Sequence, residues 1–261
     1  MNGPDQAGRR VAVIIPALNE APSIGRVLAD VPAPFRERMI VVDNGSADGT
    51  PEAAAAAGAI VLHQPRRGYG AACLRGLEFL APDPPDAVCF LDGDYSDHPE
   101  EMPRVVGPVL EGRADLVIGS RVLGSRERGA LTPQTRFGNR LATLLIRVLH
   151  RARFTDLGPF RAVSWSALRR LRMADRDYGW TVEMQVKAAR LGLRSIEVPV
   201  SYRRRIGKSK VSGTIRGSLG AGRKILWVIF RETARRGPGA VDDPGRPAGE
   251  RPSGRFPPDL V

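Results

Sequence analysis

The sequence predicts an α/β domain built on a mostly parallel sheet with helices on both faces. Three observations predict it. Short apolar runs alternate five times with helix-spaced segments between Val11 and Gly119, the pattern of a parallel sheet covered on both sides. The connections between them are short. The polar clusters Asn19-Glu20, Asp43 and Asp92/Asp94 all fall where an apolar run ends, and ligands of such sheets bind beyond the carboxyl ends of the strands.

Each element follows from local pattern. Residues 1–10 are polar and read as a flexible N-terminus. Val11–Pro16 is a buried strand. Ala21–Val31 is a helix with Ile24, Val27 and Leu28 on one side. Met39–Asp43 is the second strand, followed by the turn Asn44-Gly45-Ser46 and a helix over Pro51–Ala57 capped by Ser46 or Asp48. Ala59–His63 is the third strand and Gly70–Leu80 the next helix. Ala87–Leu91 is the fourth strand, Pro99–Glu111 a helix, and Asp115–Gly119 the fifth strand. The second half departs from this alternation. Helices are predicted over Thr135–Arg151, Ser164–Leu171, Trp180–Leu191 and Thr214–Arg231, with a short strand at Phe160–Val163 and another through Ile196, Val198 and Val200. Residues 236–261 hold six Pro and five Gly with few large apolar groups and read as a disordered tail.

Bulk properties narrow the class. The 261 residues suffice for one large domain with a sizeable core. Cys73 and Cys89 cannot form a disulfide framework, and a reducing cytoplasm fits them. No apolar run approaches the ~20 residues that span a bilayer, and none resembles a secretory signal. The protein is therefore expected in the cytoplasm, free or peripheral on the cytoplasmic face of a membrane. Net charge is +12, which suits a polyanionic partner, although arginine excess can also reflect genome composition. The charge is clustered: residues 201–236 carry eleven Lys or Arg and one acid, Glu232. A nucleic-acid-binding domain should interleave aromatic residues with such a patch. Only Tyr202 and Trp227 are available, so no nucleic-acid partner is expected.

The chemistry begins with Asp92 and Asp94. Two carboxylates one residue apart at a strand end can turn toward one ligand, where a hard divalent cation bridges them to phosphate oxygens. Gly93 between them lets a phosphate approach the backbone. A plain acidic turn would read the same way. A phosphatase would want its Asp-x-Asp on the first strand, and a dinucleotide fold would want Gly-x-Gly-x-x-Gly after that strand; neither is present.

Four segments occur in order: Val13-Ile14-Ile15-Pro16-Ala17-Leu18-Asn19-Glu20, Val41-Val42-Asp43-Asn44-Gly45-Ser46-Ala47-Asp48-Gly49-Thr50, Arg67-Gly68-Tyr69-Gly70-Ala71-Ala72, and Phe90-Leu91-Asp92-Gly93-Asp94. Together they resemble the inverting family-2 glycosyltransferases of the GT-A fold, over about Val11 to Phe230. The resemblance implies a single-domain, Rossmann-like, mostly parallel sheet. It places a nucleotide-sugar half at 11–121 and an acceptor half at 122–235. It assigns Pro16, Ala17, Asn19 and Glu20 to the nucleoside, and Asp43 to the base or ribose. It sets Gly68 and Gly70 against the nucleotide, and Asp92, Gly93 and Asp94 at the donor diphosphate. Asp92 and Asp94 would hold Mg²⁺ or Mn²⁺, Asp94 the more directly. The family's usual second Asp is Asn44 here, which leaves the base contact with Asp43.

Further segments resemble the dolichyl-phosphate mannose synthase branch and its bacterial polyprenyl-phosphate relatives. They are Tyr202-Arg203-Arg204-Arg205-Ile206-Gly207-Lys208-Ser209-Lys210, Gly119-Ser120-Arg121 and Thr155-Asp156-Leu157-Gly158-Pro159-Phe160-Arg161. This implies transfer of mannose or glucose from a GDP- or UDP-sugar to a polyprenyl or dolichyl phosphate. Arg121, Arg203, Lys208 and Lys210 would hold the acceptor phosphate. The stripe Phe137, Leu141, Leu144, Leu145 and Val148, flanked by arginines, would either pack on the sheet or lie on an anionic membrane. The alternative is a soluble or glycan hydroxyl, which needs a base; Asp156 and Glu183 are the candidates.

Overall fold

The computed structural model describes residues 9–207 and 215–234. Seven strands form one sheet: β1 (Val11–Ala17), β2 (Met39–Asp43), β3 (Ile60–His63), β4 (Ala87–Phe90), β5 (Leu116–Ser120), β6 (Arg161–Ser164) and β7 (Ser195–Pro199), in the order β3-β2-β1-β4-β6-β5-β7. The β1–β2, β1–β4, β2–β3 and β5–β7 pairs are parallel. β6 runs antiparallel to both β4 and β5.

That reversed strand has a functional consequence. Because β6 points the other way, its amino end lies beside the carboxyl ends of β4 and β5, with Arg161 paired to Phe90 and Ile118. The loop entering β6 therefore arrives at the ligand edge of the sheet, and it carries Asp156. Simple βαβ alternation would have set β5 directly against β4 and left that loop elsewhere.

Period-two alternation sends successive strand residues to opposite faces. Ile14, Ile40, Val42, Val88 and Phe90 enter one apolar layer, and Val13, Ile15, Val41 and Cys89 the other. The first layer is covered by α3 (Tyr69–Leu80), α5 (Pro133–His150), α6 (Trp165–Leu171), α7 (Trp180–Arg190) and α8 (Ile215–Ala234). The second is covered by α1 (Ala21–Asp30), α2 (Thr50–Ala56) and α4 (Met102–Leu110). Cys73 and Cys89 are buried free thiols in different layers.

Some boundaries move for local reasons. Helix α2 starts at Thr50, not after a Ser46 cap: Asp48 accepts from the Thr50 amide at 3.1 Å, while the Ser46 hydroxyl accepts from the Asn19 amide at 2.9 Å. Helix α5 starts two residues early because Thr132 caps it, accepting from the Thr135 amide. The N-terminus expected to be flexible, residues 1–10, lies outside the described residues except at its end, where Arg10 donates its amide to Asp86 and pairs with Asp83. Residues 236–261, expected to be a disordered tail, lie outside the described residues. On α5 the apolar stripe divides. Ala142 and Ile146 are buried, Leu141 and Leu145 half-buried, and Phe137, Leu144 and Val148 exposed. Among the described residues no helix is long and apolar enough to cross a membrane.

Candidate donor and metal site

The ends of β1 and β2 are laced together. Ala17 and Asp43 are register partners, and the Asn44 amide donates to the Ala17 carbonyl at 2.9 Å. Asn19, held at φ +53°, accepts from the Ala47 amide at 2.7 Å, and the Glu20 amide donates to the Thr50 hydroxyl at 2.8 Å. Asp43 is buried and accepts from the Ser46 and Gly45 amides and from His63 Nδ1. Burial opposes its charge, but the bonds from Ser46, His63 and Gly45 outweigh burial and hold the carboxyl below its usual range.

Asn44 is a clamp. Its side-chain amide donates to the Gln64 and Arg66 carbonyls at 3.0 and 2.7 Å, and its Oδ1 accepts from the Gly68 amide at 2.7 Å. An ionised aspartate has no proton to donate, so the amide here is matched to the loop it fastens.

Gly68 and Gly70, expected against the nucleotide, lie close to backbone in this structure. Gly68 has φ +138°, and a Cβ there would strike the Arg176 carbonyl oxygen. A Cβ on Gly70 would strike the Asp175 carbonyl oxygen. The Gly70 and Ala71 amides donate to the Asp177 and Arg176 carbonyls. These glycines exist to let the loop lie flat against the 175–177 backbone. Gly93 is less constrained: a Cβ would stand 3.4 Å from the Pro16 carbonyl and 3.5 Å from Glu20 Cγ, ordinary contacts.

The carboxylates gather just past β4. Asp94 is 3% exposed. Its Oδ1 accepts from the Ser96 amide at 2.9 Å and the Ser96 hydroxyl at 2.5 Å, and its Oδ2 faces the Arg205 guanidinium. Asp92 Oδ1 and Asp97 Oδ1 are buried without a hydrogen-bond partner, and Asp94 Oδ2 is met only by Arg205. Burial raises the Asp92 carboxyl against the pull of Arg205 and Arg121. Burial, together with the charge of Asp92, pushes Asp97 up to about 7. Clustered, under-satisfied carboxylate oxygens suit a hard divalent cation. No set of three His, Cys, Asp or Glu side chains among the described residues forms a full cage. The protein would thus supply Asp92 and Asp94, and phosphate oxygens would complete the shell, as is usual for Mg²⁺.

The two expected bases are otherwise engaged. Asp156 forms a two-pronged pair with Arg121, Nε to Oδ2 and Nη2 to Oδ1 both at 2.7 Å, and accepts the Arg121 amide at 2.9 Å. Burial disfavours both charges, but each holds the other ionised: Asp156 lies below its usual range and Arg121 above. Glu183 is fully buried; its Oε2 accepts from the Ala174 and Asp175 amides, and its Oε1 pairs with Lys187 at 2.9 Å and Arg231 at 3.4 Å. Its place is in the joint between α6, α7 and α8, remote in role from the donor edge. Both carboxylates are engaged by cations in this structure, and as general bases they would work beside those partners.

The arginine run is divided by the fold. Arg203 stacks on Tyr95 with its guanidinium carbon 3.4 Å from the ring centre, and donates to the Tyr95 and Asp97 carbonyls. It braces the acidic loop. Arg204 donates to the Arg128 carbonyl. Lys208 and Lys210 lie outside the described residues.

With this geometry in place, comparison with known proteins is decisive at the family level. The family described as "Glycosyl transferase family 2" matches residues 12–178. The chain belongs to that family. It is 40% identical over 215 residues to an uncharacterized glycosyltransferase of Mycobacterium tuberculosis, covering 82% of this chain and 94% of the relative. It is 33% identical over 223 residues to the undecaprenyl-phosphate mannosyltransferase of Micrococcus luteus, covering 80% and 90%. Among solved structures it is similar to the glucosyl-3-phosphoglycerate synthase of Mycobacterium tuberculosis in complex with Mn²⁺, uridine diphosphate and glucosyl-3-phosphoglycerate. The TM-score is 0.69 at 27% identity, over 87% of this chain and 81% of that one.

This family 2 glycosyltransferase also has site residues that sequence reasoning missed. Asp97 joins Asp92 because the Asp92 amide donates to Asp97 Oδ2 at 3.3 Å. Arg205 reaches Asp94, yet nothing local marks it apart from Arg203 and Arg204. Beside Arg121 lies a pocket whose lining includes Arg126, Thr135, Arg136, Asn139 and Arg140. Arg136 and Arg140 are four apart on α5, so the helical period alone could have set them on one face.

Proposed function

We propose that the enzyme transfers a hexose from a nucleoside-diphosphate sugar, with Mg²⁺ or Mn²⁺, to a hydroxyl of a small soluble acceptor that carries an anionic group. The observation that carries this reading is the adjacency of two unlike sites. Under-satisfied carboxylates stand at the end of β4, and an arginine-lined pocket opens beside Arg121. The relative solved with Mn²⁺, uridine diphosphate and glucosyl-3-phosphoglycerate supports the same pairing of donor and acceptor.

Asp92 and Asp94 would hold the metal, which neutralises charge growing on the departing diphosphate. Asp43, Asn19 and Glu20 would receive the nucleoside at the edge joining β1 and β2. Arg121 is fixed by Asp156, so its remaining charge is oriented before any ligand arrives. Among the described residues no carboxylate pairs with Arg136 or Arg140, which leaves both for the acceptor's anion. Attack by the hydroxyl oxygen from the pocket side would form the new glycosidic bond as the bond to the diphosphate breaks, inverting the anomeric carbon, with the hydroxyl proton passing to water.

A second reading, transfer to a polyprenyl phosphate, is favoured by a specific surface. Phe137, Leu144 and Val148 on α5, and Trp227 and Phe230 on α8, are exposed apolar side chains. The Micrococcus luteus relative supports it too. In that case the arginine pocket receives the lipid phosphate, and an ionised phosphate attacks without a base.

The experiment is a transfer assay with UDP-glucose and GDP-mannose, using 3-phosphoglycerate or a short polyprenyl phosphate as acceptor, with Mn²⁺ or EDTA. Product on the soluble acceptor, lost in EDTA, is expected. Product on the lipid alone would replace the first reading by the second. Undiminished turnover in EDTA would remove the metal from either.

A further inference from the structure

The run Arg203-Arg204-Arg205 sends a single guanidinium into the acidic site, and its position defines a competition. Asp94 Oδ1 is saturated by the Ser96 amide and hydroxyl. Only Oδ2 remains, and Arg205 is paired with it. A divalent cation bound by Asp94 needs the same oxygen. Two cations cannot share it closely, because their repulsion is strong where water is scarce. Neither can Asp94 be left alone, since a buried carboxylate without a cation is costly. The two partners therefore exchange.

The structure also limits where Arg205 can go. The Arg203 amide donates to the Ser96 carbonyl at 3.0 Å, and the Ile206 amide donates to the Asp94 carbonyl at 2.9 Å. These bonds strap the backbone on either side of Arg205 to the loop that carries Asp94. The Arg203 stack on Tyr95 adds a side-chain brace. Displaced from Asp94, the guanidinium swings on a fixed Cα and stays within reach of the site. Its side chain is 31% exposed while that of Asp94 is 4% exposed, so it approaches from the open side. Beyond Asp92, which shares the metal, the anion that would stand there is the diphosphate bound to that metal.

We infer that Arg205 is a positioning cation shared between Asp94 and the donor diphosphate: metal binding releases it from Asp94, and it then braces the leaving group. This rests on the metal-dependent transferase reading proposed above. It makes metal alone bind against Arg205, and metal with nucleotide bind with its help. The protein thereby favours the loaded metal–nucleotide complex over bare metal.

The test measures Mn²⁺ binding by electron paramagnetic resonance and UDP binding by calorimetry at saturating Mn²⁺. It uses the full chain, Arg205→Ala, Arg205→Lys, and Arg204→Ala as a neighbouring control. For Arg205→Ala, Mn²⁺ alone should bind tighter and UDP with Mn²⁺ weaker, each by roughly tenfold. Arg205→Lys should fall between, and Arg204→Ala should match the parent. The opposite signs matter, because a merely structural role would weaken both. Both constants unchanged, or both weakened, in Arg205→Ala overturns the inference. Failure of the unsubstituted protein to bind Mn²⁺ with UDP would instead overturn the metal reading beneath it.

Discussion

At the end of β4, Asp92 and Asp97 each keep a buried oxygen without a hydrogen bond, and buried Asp94 Oδ2 meets only Arg205. Around β6 and α7, Asp156 and Glu183 are just as buried, yet their carboxylates are met by a guanidinium, backbone amides or a lysine. Burial alone therefore does not distinguish a working carboxylate from a structural one. Partnering does: Asp92 and Asp97 each keep an oxygen without a partner, Asp94 holds one exchangeable arginine, and the second group is fully engaged.

The largest effect that could break this contrast is on activity. Asp94→Ala should lower turnover by about 10²–10³-fold, the scale of removing an electrostatic anchor of the transition state. It should leave the thermal melt close to the parent's, because the partner left behind, Arg205, can turn to solvent. A melt collapsing with activity would place Asp94 among the structural anions.

Asp156→Ala should do the reverse. It strips the two-pronged partner from buried Arg121, and breaking such a pair costs about 3–5 kcal/mol, read by urea unfolding. Glu183→Gln should likewise destabilise, by about 1–3 kcal/mol, while retaining measurable turnover. If either variant kept full stability and lost all turnover, its carboxylate would be the general base.

Glycines give a smaller version of the same comparison. Gly70→Ala must push the 175–177 backbone aside and should cost about 1–3 kcal/mol in urea unfolding. Gly93→Ala meets only ordinary contacts and should change stability by under about 1 kcal/mol, with any loss appearing in the Michaelis constant for the donor.

The smallest expected effect is in acid. Asp156 is held below its ordinary range by Arg121 despite burial. The unfolded chain therefore takes up that proton first. The pair's stabilisation is complete above the ordinary aspartate pKa of about 3.9 and declines as pH falls through the lower folded value. Asp156→Asn should flatten that acid limb in a pH series of unfolding midpoints. An unchanged limb would mean that Arg121 is not its main partner.

Much of the donor side was legible because it is local. A strand of the Val41-Val42-Asp43 kind must end where its ligand edge begins, and Asp92 and Asp94 inherit their place from the run before them. The tandem Asp-x-Asp and the alternating runs required only neighbours in sequence. The acceptor side was less legible. Asp156 and Glu183 read as candidate bases, and nothing near Glu183 in the sequence announces the amides of Ala174 and Asp175 that meet it. Arg203, Arg204 and Arg205 are chemically identical, and backbone bonds to Ser96 and Asp94 decide which of them reaches the site.

By itself, then, the sequence determined the α/β sheet, its two apolar layers, the carboxylates at the end of β4 and the family to which the chain belongs. Short-range periodicity and turn chemistry set these. Only the tertiary structure decided that β6 runs backward to bring Asp156 against Arg121. It likewise decided that Gly68 and Gly70 serve the 175–177 backbone and that Arg205 is the arginine beside Asp94. Each depends on which distant group fills the space a side chain points into, and that is a property of packing.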